Sequence, residues 1–192
     1  TLHGADAALL ACHPTSAPAD RVAATCGPFA RVSTVCSACS SGALALGLAL
    51  GRLRRGEADV VLAGGVDALS LLTFAGFAAL ASLDPEPSRP FDVSRKGLSL
   101  GEAAAFLVLE RASPRTSGRA IAELAGFAIG CEAHHITQPE ESGSVAEAVL
   151  REALRDAGAR PEDIGYVSAH GTGTPRNDLM EAGVIARVVG QG

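Results

Sequence analysis

Hydrophobic and polar positions along the chain predict strands and helices in alternation. Before residue 112 the predicted elements are a strand at Arg31 to Val35, a nearly all-apolar helix from about Ser41 to Arg54, a short buried strand at Val60 to Ala63 and another strand at Phe106 to Leu109. After it they are a strand at Ala120 to Ala125, a helix from Val145 to Ala157 and a strand at Ile164 to Ser168. Alternation of this kind is typical of an α/β fold with buried strands.

The helix from Val145 to Ala157 has the clearest pattern. Its apolar residues recur at three- and four-residue spacing and form one face, made of Val145, Val149, Leu150, Ala153, Leu154 and Ala157. Ser144 with Glu147 has the form of a capping box, and Gly158 follows where a helix ends in a left-handed residue. The sequence therefore predicts both ends of this helix as well as its buried face.

Two segments rich in Pro and Ser interrupt the pattern and predict loops, one at Asp84 to Pro90 and the other at Arg111 to Gly118. The second loop lies between the two groups of predicted elements, so it is the better candidate for an internal boundary. We therefore expect one half at residues 1–111 and another at residues 119–192.

The composition argues against several classes of protein. The 192 residues are 47% hydrophobic and only 19% charged, which indicates a folded chain with a core. A net charge of −5, without basic clusters interleaved with aromatic residues, argues against nucleic-acid binding. The longest small and apolar run, Gly42 to Leu50, is far shorter than the ~20 residues that cross a bilayer, so no membrane span is expected.

The cysteines and the first residues indicate the compartment. Five cysteines in a chain without a secretory signal favour reduced thiols in a cytoplasmic protein over a disulfide framework. The opening residues, TLHGADAALLACHP, lack both an initiator Met and the basic front of a signal peptide. We therefore expect a cytoplasmic protein of which this sequence is a fragment.

The segment from Val32 to Gly47, VSTVCSACSSGALALG, runs from a predicted strand into a predicted helix. Cys39 falls at or just before the first helical turn, where unpaired N–H groups and the helix dipole stabilise a thiolate. A cysteine so placed can act as a nucleophile at neutral pH, and the same N–H groups can hold an oxyanion. A buried packing role for Cys39 stays open at this point, because cysteine is among the most buried residue types.

Cys36 and Cys39 also form a CxxC pair, which occurs in redox proteins and in half of some zinc sites. A structural zinc site needs four ligands, and the sequence has no second CxxC or closely spaced Cys/His pair. His134 and His135 are adjacent and would point apart. We therefore expect no metal, and a CxxC redox or metal protein stays as an alternative.

A second chemical segment, Tyr166 to Asp178, reads YVSAHGTGTPRND and leads from a predicted strand to His170 and a loop of Gly and Thr. Histidine at the carboxyl end of a strand in an α/β sheet lies where such sheets bind ligands. The loop lacks the GK[ST] ending of a P-loop and the GxGxxG of a dinucleotide site, so nucleotide binding is not expected. A hydrogen-bonded structural role is the alternative for His170.

Four blocks of sequence together resemble the β-ketoacyl synthases in their order and approximate spacing, and HGTGTP is the most specific part of them. The blocks are ACSSGA at Ala38 to Ala43, RPFD at Arg89 to Asp92 with GLSLGE at Gly97 to Glu102, AHHITQP at Ala133 to Pro139, and AHGTGTPRND at Ala169 to Asp178. The resemblance covers nearly the whole chain and is closest to the elongating synthases of bacterial type II fatty acid or polyketide assembly. It implies an α/β fold of the thiolase-like, duplicated αβαβα type, incomplete at both ends.

The resemblance also implies a reaction and two catalytic residues. Cys39 matches the nucleophile that accepts the acyl group from an acyl carrier protein as a thioester, and its own N–H would contribute to the oxyanion hole. His170 matches the first of two histidines that assist decarboxylation of the malonyl unit by stabilising the developing enolate. The implied product is a β-ketoacyl thioester.

Further positions match residues around the substrate. Thr172 and Thr174 match threonines that hydrogen-bond the phosphopantetheine arm, with loop capping as the alternative. His135 and Thr137 match positions close to the pocket. Glu181 matches an acidic position with a structural or cation-binding part, so it is not counted as catalytic.

The sequence departs from the family pattern in two ways. The family's second catalytic histidine, its lysine and a Gly/Phe-rich segment lie beyond the HGTGTP block, whereas the sequence ends at Gly192, so we expect the isolated piece not to complete a condensation. The usual GEGAG also reads GEAAA from Gly101 to Ala105, and the two added methyl groups are expected to narrow the nearby packing.

The resemblance implies an acyl carrier protein as partner, a homodimer in the full-length protein, and no cofactor of its own because phosphopantetheine arrives on the carrier. A non-catalytic partner subunit with the same fold is an alternative, and the presence of Cys39 and His170 argues against it. A thiolase or a starter-type synthase would share the cysteine but is not expected to carry HGTGTP.

Overall fold

The structure, a computed structural model, describes residues 14–113, 118 and 120–190. Cys12 and part of the loop predicted at Arg111 to Gly118 lie outside the described residues. In chain order the elements of the described part are α1 (Ala17–Cys26), α2 (Ser41–Arg54), β1 (Val60–Asp67), α3 (Leu71–Ala79), β2 (Ala103–Glu110), α4 (Ser144–Ala157), a short 3-10 helix (Pro161–Asp163) and α5 (Pro175–Val188).

Several predicted elements are confirmed. Helix α2 has the predicted bounds, α4 begins one residue earlier than predicted, and β1 and β2 contain the two predicted strands. The burial predicted for Val60 to Ala63 is only partial, since Ala63 is buried while Val60 is exposed. Strands β1 and β2 are hydrogen-bonded neighbours in one sheet. Gly158 ends α4 with φ +64°, as the sequence predicts.

The predicted capping box at the start of α4 is wrong. Gly143 is the residue before the helix, with φ +66°, and Ser144 is its first residue without a side-chain capping bond. The Glu147 carboxylate instead accepts hydrogen bonds from Arg151 and from Arg187 of α5, at 2.8 and 2.6 Å. An ion pair across two helices thus replaces the local bond that the Ser144 spacing predicts.

The strands predicted at residues 31–35, 120–125 and 164–168 are also wrong, since none of these segments is assigned as a strand among the described residues. An apolar run indicates an extended and buried backbone, but a strand also requires a ladder with a neighbouring strand. Helices α1, α3 and α5 were not predicted. The one sequence signal for α5 is Pro175 at its first position, where proline is favoured.

The contacts divide the described chain into two compact units. One comprises the residues up to Val66 with Ala104–Arg111, and its buried apolar side chains are Ala49 and Leu53 of α2 and Ala63 of β1. The other comprises Asp67–Ala103 with the residues from Ala112 onward. The halves expected at residues 1–111 and 119–192 are defined by chain order rather than by contacts, and they stay a prediction.

The second unit is built around the packing of α4 against α5. Val184 and Val188 of α5 are buried, and a β-carbon at Gly143 would collide with Val184 and Met180. Arg187 also donates to the Ser142 carbonyl at 2.6 Å, next to its bond with Glu147. Helix α5, whose first turn adjoins the HGTGTP segment, is therefore anchored along its length.

None of the described helices has the length and apolar character needed to span a membrane.

Candidate functional site

Cys39 lies two residues before α2, in a turn held by serines. The Ser40 and Ser41 N–H groups donate to the carbonyls of Ser37 and Ala38 at 3.2 and 3.1 Å. The Ser41 hydroxyl accepts the Ser37 N–H and donates to the Ala38 carbonyl, both at 2.7 Å. Each of these bonds joins residues at most four positions apart, so the turn is built from its own sequence.

The Cys39 side chain is exposed and its thiol is free, so it does not pack in the core of the described unit. Cys36 is likewise exposed and free, so the two cysteines are not bonded to each other. Gly42 and Ala43 lie in the first turn of α2, where backbone N–H groups have no partner within the helix itself. The turn thus presents an exposed thiol at the start of a helix, where backbone N–H groups can stabilise an oxyanion.

Ala38, immediately before Cys39, has φ +48°. This left-handed conformation is unfavourable for alanine by about 1–2 kcal/mol, because the β-carbon approaches the following carbonyl oxygen. The two bonds from Ser41 to the Ala38 carbonyl hold the residue in place. Backbone strain therefore lies directly beside the candidate nucleophile, as is frequent at reactive sites.

Glycines let the first turn of α2 approach β1. A β-carbon at Gly65 would lie 3.2 Å from the Gly42 Cα, and one at Gly64 would overlap the Ala105 carbonyl of β2. The sheet and the helix start are thus in contact through backbone. The alanines that replace family glycines in GEAAA, Ala103 and Ala105, are exposed, so the crowding expected there is not seen among the described residues.

The predicted loop at His170 is held by Glu181 of α5. The Glu181 carboxylate accepts the His170 N–H at 2.6 Å, the Gly171 N–H at 2.9 Å and the Asn177 side-chain amide at 3.3 Å. His170 is exposed, and its imidazole takes no part in these bonds. The backbone at His170 is therefore fixed while its ring is free to meet a substrate.

Asp178, in the first turn of α5, joins this loop to the RPFD segment. Its side chain is 1% exposed, and its carboxylate accepts the Phe91 N–H at 2.7 Å and the Gly173 N–H at 3.1 Å. The Arg95 Nε lies 3.6 Å from the same carboxylate, and the other Arg95 nitrogens donate to the carbonyls of Asp92 and Pro175 at 2.9 and 3.0 Å. A buried ion pair thus connects two segments far apart in the sequence.

The glycine in the middle of HGTGTP is required by its surroundings. Gly173 has φ +74°, and a β-carbon there would lie 2.5 Å from both the Gly97 carbonyl and the Ser88 hydroxyl. Ser88 donates to that Gly97 carbonyl at 3.1 Å. On either side of Gly173, the hydroxyls of Thr172 and Thr174 are hydrogen-bonded to each other at 2.8 Å and are half-buried.

His135 and Thr137 share a turn in the second unit. The His135 Nδ1 accepts the N–H groups of Thr137 and Gln138, both at 3.1 Å. Both residues are exposed. Gln138 contacts Arg176 at the start of α5, so this turn is linked to the helix that holds the His170 loop.

The predicted site residues therefore fall into two groups. Cys39 belongs to the first unit. The other five predicted residues belong to the second unit, namely His170, Thr172, Thr174, His135 and Thr137. The sequence predictions did not include the residues that fix the loop, which are Asp178, Arg95, Ser88 and Phe91. For Asp178 a signal existed, since an acid in a first turn behind an N-terminal Pro is common, but nothing in the sequence indicates its partners. The described residues contain no cluster of three or more His, Cys, Asp or Glu side chains placed to hold a metal ion.

Comparison with known proteins gives the chain a family. Residues 6–115 match the model of the β-ketoacyl synthase N-terminal domain, and residues 121–192 match that of the β-ketoacyl synthase C-terminal domain. Nodulation protein E of Rhizobium meliloti is 42% identical over 91% of the chain. The 3-oxoacyl-[acyl-carrier-protein] synthase 2 of Vibrio cholerae is 39% identical over 86% of it. The chain covers 44% and 41% of these two proteins, so it spans less than half the length of the relatives it matches.

A solved structure agrees with these relatives. It is the AntDE:AntF complex, in which a type II polyketide acyl-carrier protein is in complex with its ketosynthase bound to the hexaketide. It superposes with a TM-score of 0.86 at 31% identity, over 97% of this chain and 48% of that one. The expected α/β, thiolase-like fold is thereby confirmed. The two domain models together with this fold establish that the chain belongs to the β-ketoacyl synthase family.

Proposed function

We propose that the protein containing this chain is a condensing enzyme that extends an acyl group with a malonyl unit. In the first step the Cys39 thiolate attacks the thioester of an acyl carrier protein, forms acyl-Cys39 and releases the carrier thiol. In the second step the malonyl thioester loses CO2 and becomes an enolate. The enolate carbon attacks the acyl-Cys39 carbonyl, so a carbon–carbon bond forms, the carbon–sulfur bond breaks and Cys39 leaves as a thiolate.

The observation that carries the proposal is the turn that presents Cys39. Its thiol is exposed at the start of α2, whose first backbone N–H groups have no partner within the helix itself. Acyl transfer places negative charge on a carbonyl oxygen next to the attacking sulfur. A backbone donor in position for that oxygen, such as the Cys39 N–H, is worth roughly 10²–10³ in kcat.

The second unit supplies the groups proposed for decarboxylation. Glu181 fixes the backbone at His170, so the free imidazole can donate to the enolate oxygen as CO2 leaves. The hydroxyls of Thr172 and Thr174 are a pair at 2.8 Å that can bond the amides of a phosphopantetheine arm. We assign His135 and Thr137, on the neighbouring turn, to the rim of the substrate pocket.

We further propose an acyl carrier protein as partner, which the AntDE:AntF complex and the name of the Vibrio cholerae relative support. Its phosphopantetheine would be the only prosthetic group that the reaction needs. We also propose that the full-length protein is a homodimer. We further propose that it is cytoplasmic, because the cysteines of the described residues are free thiols, as is usual in a reducing compartment.

Mass spectrometry of the full-length protein after mixing with an acyl-loaded carrier tests the proposal. We expect the acyl group on Cys39, its loss in Cys39→Ala, and its retention in Cys36→Ala. His170→Ala should leave this acylation intact and slow malonyl decarboxylation by roughly 10²-fold, the effect of one lost transition-state hydrogen bond. An adduct on Cys36 would contradict the assignment of the nucleophile, and no adduct on any residue would favour a non-catalytic partner subunit.

A further inference from the structure

Phe91 of the RPFD segment has a backbone conformation that is rare for an aromatic residue. Its φ is +64°, in the left-handed region. A bulky side chain there is strained, and such strain persists only where the surrounding structure holds it. Strained residues of this kind cluster at functional sites.

Asp178 holds the strained backbone. Its buried carboxylate accepts the Phe91 N–H at 2.7 Å, the shortest of the hydrogen bonds that it accepts. The Arg95 Nε lies 3.6 Å from the same carboxylate oxygen, Oδ2. Arg95 also donates to the carbonyl of Asp92, which follows Phe91. The backbone on both sides of the Phe91 side chain is therefore tied to charged groups.

The Phe91 ring lies against the glycine that follows His170. A β-carbon added at Gly171 would be 3.5 Å from the Phe91 Cε2 and 3.4 Å from the Pro90 Cβ. The N–H groups of His170 and Gly171 are at the same time bound to Glu181. The backbone that carries the His170 imidazole is thus held by Glu181 and packed against Phe91 and Pro90.

We propose that Phe91 is a positioning residue for His170, acting through Gly171. The inference rests on the role in decarboxylation proposed above for His170. In it, Phe91 fixes the orientation of the His170 imidazole. The ring need not touch substrate. Removing it should change the His170 environment and the second half of the reaction without changing acyl transfer to Cys39.

Two substitutions in the full-length protein distinguish the effect of the Phe91 ring from the effect of its backbone conformation. Phe91→Asn removes the ring but tolerates the left-handed conformation, and Phe91→Tyr keeps the ring. Phe74→Asn is the matched control, because Phe74 is an exposed phenylalanine of the same unit, on α3. The rate at which diethyl pyrocarbonate modifies His170, followed by peptide mass spectrometry, reports on its environment without relying on turnover. His134 provides an internal reference in each sample.

In Phe91→Asn we expect His170 to be modified at least three-fold faster and the kcat of malonyl decarboxylation to fall about ten-fold. The KM and the rate of Cys39 acylation should stay within two-fold, and Phe91→Tyr and Phe74→Asn should behave like the wild type. Wild-type His170 reactivity and decarboxylation in Phe91→Asn would overturn the inference, and so would an equal loss of acylation and decarboxylation. If the wild-type protein shows no decarboxylation, the proposed function is contradicted. If His170 is nevertheless modified faster in Phe91→Asn than in the other proteins, the positioning role is still supported.

Discussion

The turn at Cys39 and the loop at His170 each present an exposed side chain, but they are built in different ways. The bonds that shape the Cys39 turn join residues at most four positions apart. The His170 loop depends on distant segments, since Asp178 binds the backbone of Phe91, which lies 87 positions earlier. The Cys39 turn is therefore specified by its own sequence, whereas the His170 loop forms only when the unit is folded.

The two regions also differ in how they reach the left-handed conformation. The Cys39 turn uses an alanine, Ala38 with φ +48°, where the strain of a β-carbon is tolerated. The His170 loop uses Gly171 and Gly173, and a β-carbon at Gly173 would meet backbone and side-chain atoms at 2.5 Å. Substitutions in the distant, tightly packed loop should therefore cost more stability than substitutions in the local turn.

The largest effect is expected for Asp178→Ala. The change leaves the Arg95 guanidinium without its carboxylate, and it leaves the buried Gly173 N–H and the partly buried Phe91 N–H without an acceptor. Breaking a buried ion pair from one side costs about 3–5 kcal/mol. Urea unfolding of the full-length protein should show a loss of stability in this range.

A matched control is Glu57→Ala, which removes the carboxylate of the exposed Arg55–Glu57 pair in the first unit. Exposed pairs contribute little because water and salt screen them, so this variant should unfold close to the wild type. Equal losses of stability in Asp178→Ala and Glu57→Ala would show that the long-range carboxylate contributes no more to folding than the local one.

The next effect is expected for Gly173→Ala. An alanine in the left-handed region is unfavourable by ~1–2 kcal/mol, and the collision with the Gly97 carbonyl adds to it, so we expect a loss of about 2–3 kcal/mol. Gly158→Ala is the control, because Gly158 has φ +64° with no atom within 4 Å of the added carbon. It should lose only ~1 kcal/mol. If denaturant unfolding gives the same loss for both variants, packing around Gly173 contributes nothing.

The local parts of this structure were predictable from the sequence. The bounds of α2 and the left-handed end of α4 at Gly158 follow from periodicity and from glycine chemistry, which act within one or two turns. The place of Cys39 ahead of α2 belongs to the same class. The four sequence blocks indicated the family and with it the proposed reaction, which no local pattern could indicate.

The long-range parts were not predictable. The apolar runs at 31–35 and 164–168 indicate burial, but whether a strand forms depends on neighbours that one sequence does not reveal. Asp178 stands in a quoted block, yet its pairing with Arg95 and Phe91 arises only when RPFD and HGTGTP meet in the fold. Glu147 shows the same limit, because its spacing from Ser144 predicts a cap while its partner is Arg187 of another helix.

Ala38→Gly tests the strain at the Cys39 turn. Glycine adopts the left-handed conformation freely but adds entropy to the unfolded chain, so these opposing effects leave a net gain of about 0.5 kcal/mol. The sign is opposite to that of Gly173→Ala. Urea unfolding measures the gain in the free energy of unfolding. The rate of Cys39 alkylation by iodoacetamide measures the flexibility of the turn, and we expect this rate to increase. A destabilised Ala38→Gly protein would show that Ala38 is held by contacts of its β-carbon rather than strained.

The smallest effect concerns a local carboxylate in the same unit as Asp178. Hydrogen bonds from the side chain and backbone of Ser142, with further bonds from Ser144, lower the pKa of Glu140 from its ordinary 4.5 to about 2. Since the folded pKa lies below the unfolded one, the ionised carboxylate stabilises the protein above pH 4.5, and that contribution disappears as the pH falls toward 2. Glu140→Gln removes this titration, so its thermal midpoint should fall less steeply between pH 5 and about pH 2.5 than that of the wild type. Because Glu140 is only half-buried, solvent screens its bonds and the difference should be small beside the loss in Asp178→Ala. An equally steep fall in Glu140→Gln would assign the acid sensitivity to other carboxylates.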